Sequence, residues 1–408
     1  MTAPLAGAPW LNRQESRKLL DVLTTDGAPA RFVGGCVRDA MLGEFDPDGD
    51  LDIATALLPD EVIKRLEAAD IKAIPTGLKH GTVTALVDGQ TYEITTLRKD
   101  VACDGRHADV QFTDDFELDA KRRDFTINAM STDWRGQLFD YFGGWEDLKA
   151  GRVRFVGDAQ ERVREDYLRI LRFFRFYARY GRPPADRQAL QACREGTDGL
   201  THLSGERTRS EMFKLLASGG VVAALTLMIE NSVLRHILPI DVDLISLNQL
   251  ITLVPDSDPL LRLAALLRSN TATASMPAAV AAWRLSNAEA ARLQRLTEGP
   301  LPDLPMSPGT AKRQVYREGP GIYTDLVNLS ARTEDDLERS LPPPAVENFP
   351  ITGQDLINHG VPPGPDLGQQ LKQLEDWWLE QDMQPDRQEL LQELVKRLKH
   401  PPATSQNP

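Results

Sequence analysis

At 408 residues the chain is too long for a single compact core, so two to four domains are expected, and its 41% hydrophobic and 26% charged content is that of an ordinary globular protein. The amino terminus, MTAPLAGAPWLNRQ, has no basic stretch followed by an apolar run, and no 18 consecutive apolar residues occur, so neither export nor membrane spanning is indicated. Three scattered cysteines (Cys36, Cys103, Cys193) argue against a disulfide framework or a paired-cysteine metal site and fit a reducing, cytoplasmic setting, while a net charge of −13 argues against indiscriminate nucleic-acid binding.

Residues 11–25 carry a helical period with Leu19, Leu20, Val22 and Leu23 on one side. Next comes RFVGGCVRDAMLGEFDPDGDLDIAT (31–55). It reads as a buried strand, the glycine pair Gly34 and Gly35, a short amphipathic helix carrying Arg38, an acidic turn (Asp46–Asp50) and a second strand with Asp50 and Asp52. Residues two apart on a strand point the same way, so Asp50 and Asp52 aim at one spot. Two hard oxygen ligands on a rigid element suit Mg²⁺, which keeps its other positions for water and phosphates. A glycine pair opening a helix lets backbone N–H groups approach phosphates. Together these predict phosphoryl or nucleotidyl transfer.

Pro59–Ala69 is predicted as a helix opened by proline, and Thr82–Val87 with Tyr92–Leu97 as a hairpin turning at Asp88-Gly89. Glu93 on its second strand joins Asp50 and Asp52 if the register puts it on their face; otherwise it is a solvent-side glutamate. Residues 98–115, polar and without periodicity, are expected to form a mobile loop beside the site. Asp119–Met130 reads as a helix with Arg123, Asp124 and Asn128 near one face and Arg122 as a surface charge. Residues 139–148 hold a second glycine pair and leave the first domain.

From Asp158 long helices are predicted. Arg162–Tyr180 has Asp166, Arg169, Arg172 and either Arg175 or Arg179 along one stripe and Leu168, Leu171, Phe174 and Ala178 along another. Residues 151–180 hold eight arginines against four acids, a basic strip suited to RNA phosphates, for which a strong salt dependence is expected. Leu203–Leu216 is a helix with Ser204 as its cap. Residues 220–300 read as all-helical, with Pro259–Arg268 and Pro277–Thr297 as examples. Proline-rich breaks at 300–308 and 341–350 bracket an acidic cluster (Glu334, Asp335, Asp336, Glu338). The helices Leu367–Gln381 and Asp386–Lys399 precede a polar end, 401–408, expected to be disordered.

Six stretches in order, GGCVRD (34–39), DLDIAT (50–55), RRDFTINAM (122–130), GGWEDL (143–148), EDYLRILRFFRF (165–176) and GERTRSE (205–211), resemble the motifs of the class II CCA-adding tRNA nucleotidyltransferase and bacterial poly(A) polymerase family. The resemblance covers about residues 30–215, and FPITGQDLINHGVPPGPDLG (349–368) looks like the family's tail segment. It implies an α+β fold: a polymerase-β-like head of mixed sheet and helices (1–150), then an all-α neck that selects the nucleotide (151–220), a body (221–300) and a tRNA-binding tail (301–400). TGLKHGTVTAL (76–86) is similar to the CCA-adding branch and lacks the basic pattern of the poly(A) branch, so CCA addition to tRNA 3′ ends from CTP and ATP is expected, with poly(A) or partial CC- or A-addition as the alternative.

The resemblance also implies roles. Asp50 and Asp52 hold two Mg²⁺ ions, and Gly35 and Arg38, with Gly34 beside them, meet the triphosphate; Glu93 counts as a third catalytic carboxylate only through its strand register. Arg123 reaches the nucleotide, with Asp124 and Asn128 positioning it or the ribose. Asp166 and Arg169 act as an amino-acid template, while Arg172 and Arg175 touch nucleotide phosphates. The template chemistry is sound on its own terms. A carboxylate accepts from the exocyclic amine of C or A and a guanidinium donates to their ring acceptors, whereas G and U turn both contacts repulsive.

Overall fold

The computed structural model describes residues 4–44, 49–103, 108–268 and 281–399; the acidic turn around Asp46 and Asp48, part of the 98–115 segment, residues 277–280 and the 401–408 tail lie outside them. The chain forms two compact units, one of residues 1–240 with 278–284, the other of 241–277 with 285–408.

The first unit opens with α1 (Gln14–Leu23), which buries Leu19, Leu20 and Leu23. A seven-stranded sheet follows. Its strands are β1 (Ala30–Val33), β2 (Leu51–Thr55), β3 (Lys72–Gly77), β4 (Thr82–Val87), β5 (Gln90–Thr96), β8 (Ser131–Thr132) and β9 (Leu138–Phe139), in the order β3-β4-β5-β2-β1-β8-β9. β2 and β5 run parallel and the other neighbours antiparallel. Helix α2 (Gly35–Met41) leaves β1, and α3 (Pro59–Ala68) covers the crossover with Val62 and Leu66 buried. The β4–β5 hairpin turns where expected, with Asp88 at φ 48° and Gly89 at φ 90°, the paired positive angles that a two-residue turn requires. β3 was not predicted. As an edge strand it carries mostly exposed residues, so no apolar alternation marks it.

Four further expectations are corrected. Residues 98–115 include a ribbon of β6 (Arg98–Cys103) and β7 (Ala108–Phe112), separate from the main sheet and with a register shift at 100/102. Its two strands pair with each other and carry no apolar alternation in sequence, which is why the sequence is silent about them. The helix expected over 119–130 is only α4 (Phe116–Lys121), capped by Asp115; Phe125 then bridges to Phe155, and Thr126–Asn128 make a 3₁₀ turn. Buried Thr126, Ile127 and Asn128 are weak helix formers, and packing takes them elsewhere.

After α5 (Gly144–Ala150), the helix expected over 162–180 is two: α6 (Ala159–Glu165) and α7 (Leu168–Tyr180), broken at Asp166, whose backbone is extended (φ −156°, ψ 107°). Its carboxylate accepts from the Leu168 N–H at 3.1 Å, a local bond that competes with helix continuation. Helix α7 buries Leu168, Ile170, Leu171, Phe173, Phe174, Phe176 and Tyr177 against Phe125 and Phe155 among others. Helices α8 (Arg187–Glu195), α9 (Gly205–Leu216, with Ser204 at its N-cap) and α10 (Val221–Glu230) complete the unit.

The second unit contains α11 (Leu244–Leu253), α12 (Pro259–Leu267), α13 (Asn287–Glu298), α14 (Pro308–Ser330), α15 (Glu334–Ser340), α16 (Gly353–Asn358), α17 (Pro365–Glu380) and α18 (Arg387–Lys399). In place of a helix through 277–297, Arg284 turns at φ 52° and a Ser286–Glu289 capping box starts α13. α14 breaks at Gly319 (φ 78°), just before Pro320. Arg292 ties three elements together by donating to Asp258 at the α12 cap and to Asp325 on α14.

Candidate active site

A cavity of about 610 Å³ opens in the first unit, and ten of the thirteen residues nominated from the sequence line it. Its floor is the β1–α2 turn. Gly34 sits at φ 76°, ψ −127°, where an L-residue is strained. A Cβ there would lie 3.2 Å from Arg123 Nη1, a tight approach, and at ordinary contact, 3.8 Å, from Asp52 Oδ2, so it is chiefly the positive φ that calls for glycine. Gly35 is the first residue of α2 and Arg38 is buried on its inner side.

Asp52 lies on β2 directly opposite Glu93 in the parallel ladder, which settles the register: both side chains project from the same face of the sheet. Burial, then the neighbouring Glu93, with a smaller push from Asp50, raises the Asp52 carboxyl to about 6, against the opposing pull of Arg123. Asp50 and Glu93 are exposed and stand outside the cavity wall. Among the described residues no group of three or more His, Cys, Asp or Glu is placed to hold a metal by itself. The donor set still fits a hard divalent cation. It is all oxygen, it crowds negative charge that a cation relieves, and it leaves ligand positions for water and phosphate.

The polar residues form one connected chain. Arg38 donates from Nε and Nη2 to Asp39 (2.8 and 3.0 Å) and from Nη1 to Asn128 Oδ1 (2.5 Å). Asn128 donates to Asp124 at 3.0 Å, as does the Phe125 N–H at 2.8 Å, and Arg172 closes on Asp124 at 2.6 and 2.5 Å. Burial alone would raise the Asp124 carboxyl, but Arg172 and these donors hold it below the ordinary carboxylate range. Arg122, expected on the surface, instead pairs with buried Asp119 at 2.8 Å on the cavity wall, and Arg123 reaches the same carboxylate at 3.4 Å.

Asp166 and Arg169 do not share a helix: Asp166 lies in the break and Arg169 in the first turn of α7. Both line the cavity, each steadied by other groups. Arg207 Nη2 donates to Asp166 Oδ2 at 2.6 Å, while Arg169 pairs with Glu165 and donates to the Arg162 carbonyl at 2.9 Å. A carboxylate offers about four acceptor sites and a guanidinium five donors, so each keeps capacity for a base edge. Arg175 is placed elsewhere. Its Nε is held by Glu211 Oε2 at 2.5 Å, and it does not reach the cavity. Arg98, Arg207 and Phe176 line the site without having been nominated. Arg207 lies inside the GERTRSE motif and could have been found there, whereas Arg98 was hidden in the segment read as a loop.

The basic strip is internally compensated. Arg152 and Arg154 pair with Asp147, Arg162 with Glu165, Arg172 with Asp124 and Glu211, and Arg179 with Glu44 and Asp39. Five of those acids lie outside residues 151–180, where a count along the sequence does not see them.

Comparison with known proteins bears directly on this geometry. Residues 30–154 match the Poly A polymerase head domain, and residues 186–241 match the probable RNA and SrmB-binding site of polymerase A. The chain is 36% identical over 386 residues to the mitochondrial CCA tRNA nucleotidyltransferase 1 of Danio rerio, covering 92% of this chain and 89% of that protein. It belongs to the CCA tRNA nucleotidyltransferase family. A CCA-adding enzyme of Geobacillus thermodenitrificans is 41% identical over 226 residues, 55% of this chain and 54% of that one. The crystal structure of the Bacillus stearothermophilus CCA-adding enzyme in complex with CTP superposes with a TM-score of 0.71 at 28% identity, over 98% of both chains. The α+β head with a helical remainder is therefore the architecture of this family, whose chemistry depends on a divalent metal. Among the described residues no helix is long and apolar enough to cross a membrane, and relatives of the family include mitochondrial forms.

Proposed function

We propose that this protein adds CCA to tRNA 3′ ends, taking CTP and ATP in turn and releasing pyrophosphate, with Mg²⁺ as its metal and a reducing cytoplasm, in which Cys36 and Cys193 stay free thiols, as its setting. The observation that carries the reading is that one cavity joins the phosphate-side residues Gly34, Arg38, Asp52 and Arg123 to the pair Asp166 and Arg169, a carboxylate and a guanidinium that together suit the edge of C or A. Asp50 and Asp52 hold the metal, and Glu93 adds to the negative charge that draws it. The chemistry Mg²⁺ supplies when bound is Lewis-acid charge on the attacking 3′-oxygen and on the triphosphate. Gly34 and Gly35 admit the phosphates to the backbone, and Arg38 and Arg123 donate to their oxygens. Asp124 and Asn128 hold Arg172 and Arg38 in place at the cavity wall. Asp166 accepts from the exocyclic amine and Arg169 donates to the ring, which rejects G and U without a nucleic-acid template. Arg175 serves the fold through Glu211. The head (1–150) performs the transfer, the neck (151–220) chooses the nucleotide, and the body and tail (221–400) engage the tRNA.

The test is incubation with Mg²⁺, a tRNA lacking its terminal CCA, and CTP, ATP or both, followed by sequencing of the 3′ ends. Complete CCA is expected; CC alone, A alone, oligo(A) or no product would each replace the reading.

A further inference from the structure

Arg38 is 7% exposed, and its guanidinium is more tightly directed than a phosphate contact requires. Two of its donors go to Asp39, the next residue in α2. Side chains adjacent in a helix diverge, so the helix does not supply this pairing by itself. It is imposed from α7. Tyr180, the last residue of that helix, donates its hydroxyl to Asp39 Oδ1 at 2.7 Å, and its ring lies 4.5 Å from the Arg38 guanidinium carbon. Arg179 approaches Asp39 Oδ2 at 3.8 Å and anchors on Glu44 at 3.2 Å. With Asn128 taking a third donor, two of the five N–H groups of Arg38 remain, one on each terminal nitrogen. Neither Asp39 nor Tyr180 lines the cavity, whereas Arg38 does. Burial pushes the Tyr180 phenol well above its ordinary range, so its proton stays in place as a donor at any working pH.

We propose that Asp39 and Tyr180 are positioning residues for nucleotide binding, fixing the plane of Arg38 so that its two remaining N–H groups meet the nucleotide's phosphates. This rests on the nucleotidyl-transfer reading above. Contacts with phosphates are common to CTP and ATP, so the device affects both nucleotides alike and leaves the choice between bases untouched. It also connects the end of α7 to the phosphate turn, although the first turn of the same helix carries Arg169.

The test is direct titration of the full-length protein with CTP and with ATP, alongside extension of a tRNA lacking CCA. Tyr180→Phe keeps the ring and removes the hydroxyl. It is expected to weaken both nucleotides about five- to tenfold while tRNA affinity stays within about twofold. Asp39→Asn is expected to weaken them by a larger factor, and it carries the same test if Tyr180→Phe does not fold. In an Arg38→Lys background Tyr180→Phe should add nothing, because the residue it directs is gone. Unchanged nucleotide affinity, or an equal loss in the Arg38→Lys background, overturns the proposal. A parent protein that binds CTP but extends no tRNA overturns the reaction assigned above, and the titrations still decide the positioning role.

Discussion

Asp52 sits where burial and two neighbouring carboxylates oppose its charge and only Arg123 favours it, an arrangement that a bound divalent cation would relieve. Replacing Asp52 by Ala is expected to lower nucleotide incorporation by about a thousandfold or more, the loss of several kcal/mol of metal-borne stabilisation, with tRNA affinity nearly unchanged. Single-turnover extension and a separate tRNA-binding titration check the two halves. Asp124 presents the opposite case. Its carboxyl is held below the ordinary value, so it binds a proton less readily folded than unfolded, and its contribution to stability is complete above about pH 4 and lost as pH falls through the lowered folded value. Urea midpoints followed from pH 7 to pH 3 should drop below about pH 4 in the parent and respond more weakly in Asp124→Asn.

At the scale of elements, the break between α6 and α7 matters most. It places Asp166 in the break and Arg169 in the first turn of α7, both lining the cavity, with Arg207 and Glu165 steadying one each. Asp166→Ala and Arg169→Ala are each expected to erode selection of C and A over U and G by about 5- to 150-fold, measured as incorporation from single nucleotides; unaltered selection would remove the template role. The break also shows where sequence reading stops. The strands around Asp52, the β4–β5 turn and the helix carrying Arg38 were legible because period, turn residues and glycine placement all agreed. Asp166 was placed inside a helix because the apolar period runs on through Leu168 and Leu171, and a side chain bonding its own backbone leaves no trace in that period. Arg122 was read as a surface charge because Asp119, its partner, gives no sign of burial in sequence. The β6–β7 ribbon leaves no apolar alternation in the sequence by which to recognise it. Glu93 could be placed only by register, which no local pattern fixes.

For the whole molecule, the pairing of the neck arginines changes what the charge count means. A protein with six to ten free phosphate contacts loses about 10³ to 10⁵ in affinity between 50 and 200 mM salt. Here most of the eight arginines of 151–180 already hold acids of the same unit, so tRNA affinity over that range is expected to fall by clearly less than a thousandfold. Titrations across the range check it, and a steeper slope would mean that the ion pairs open on binding.

The same bonds decide how the protein can be dissected. Asp124, Asp147 and Asp39 all precede residue 150, yet Arg172, Arg152 with Arg154, and Tyr180 all follow it. A fragment stopped at residue 150 would leave buried Asp124 and Asp147 without their arginine partners and expose a bare aromatic face where Phe155, Phe173 and Phe176 had packed on Phe125. Expression of residues 1–150 should therefore yield an insoluble or unfolded product. A piece running through residue 240 keeps these bonds, though it gives up the return segment that seats Trp283. The sheet that carries Asp52 and the helix that carries Arg169 are in this sense one folding unit, and chimaeras between relatives should be joined beyond residue 240 rather than at 150.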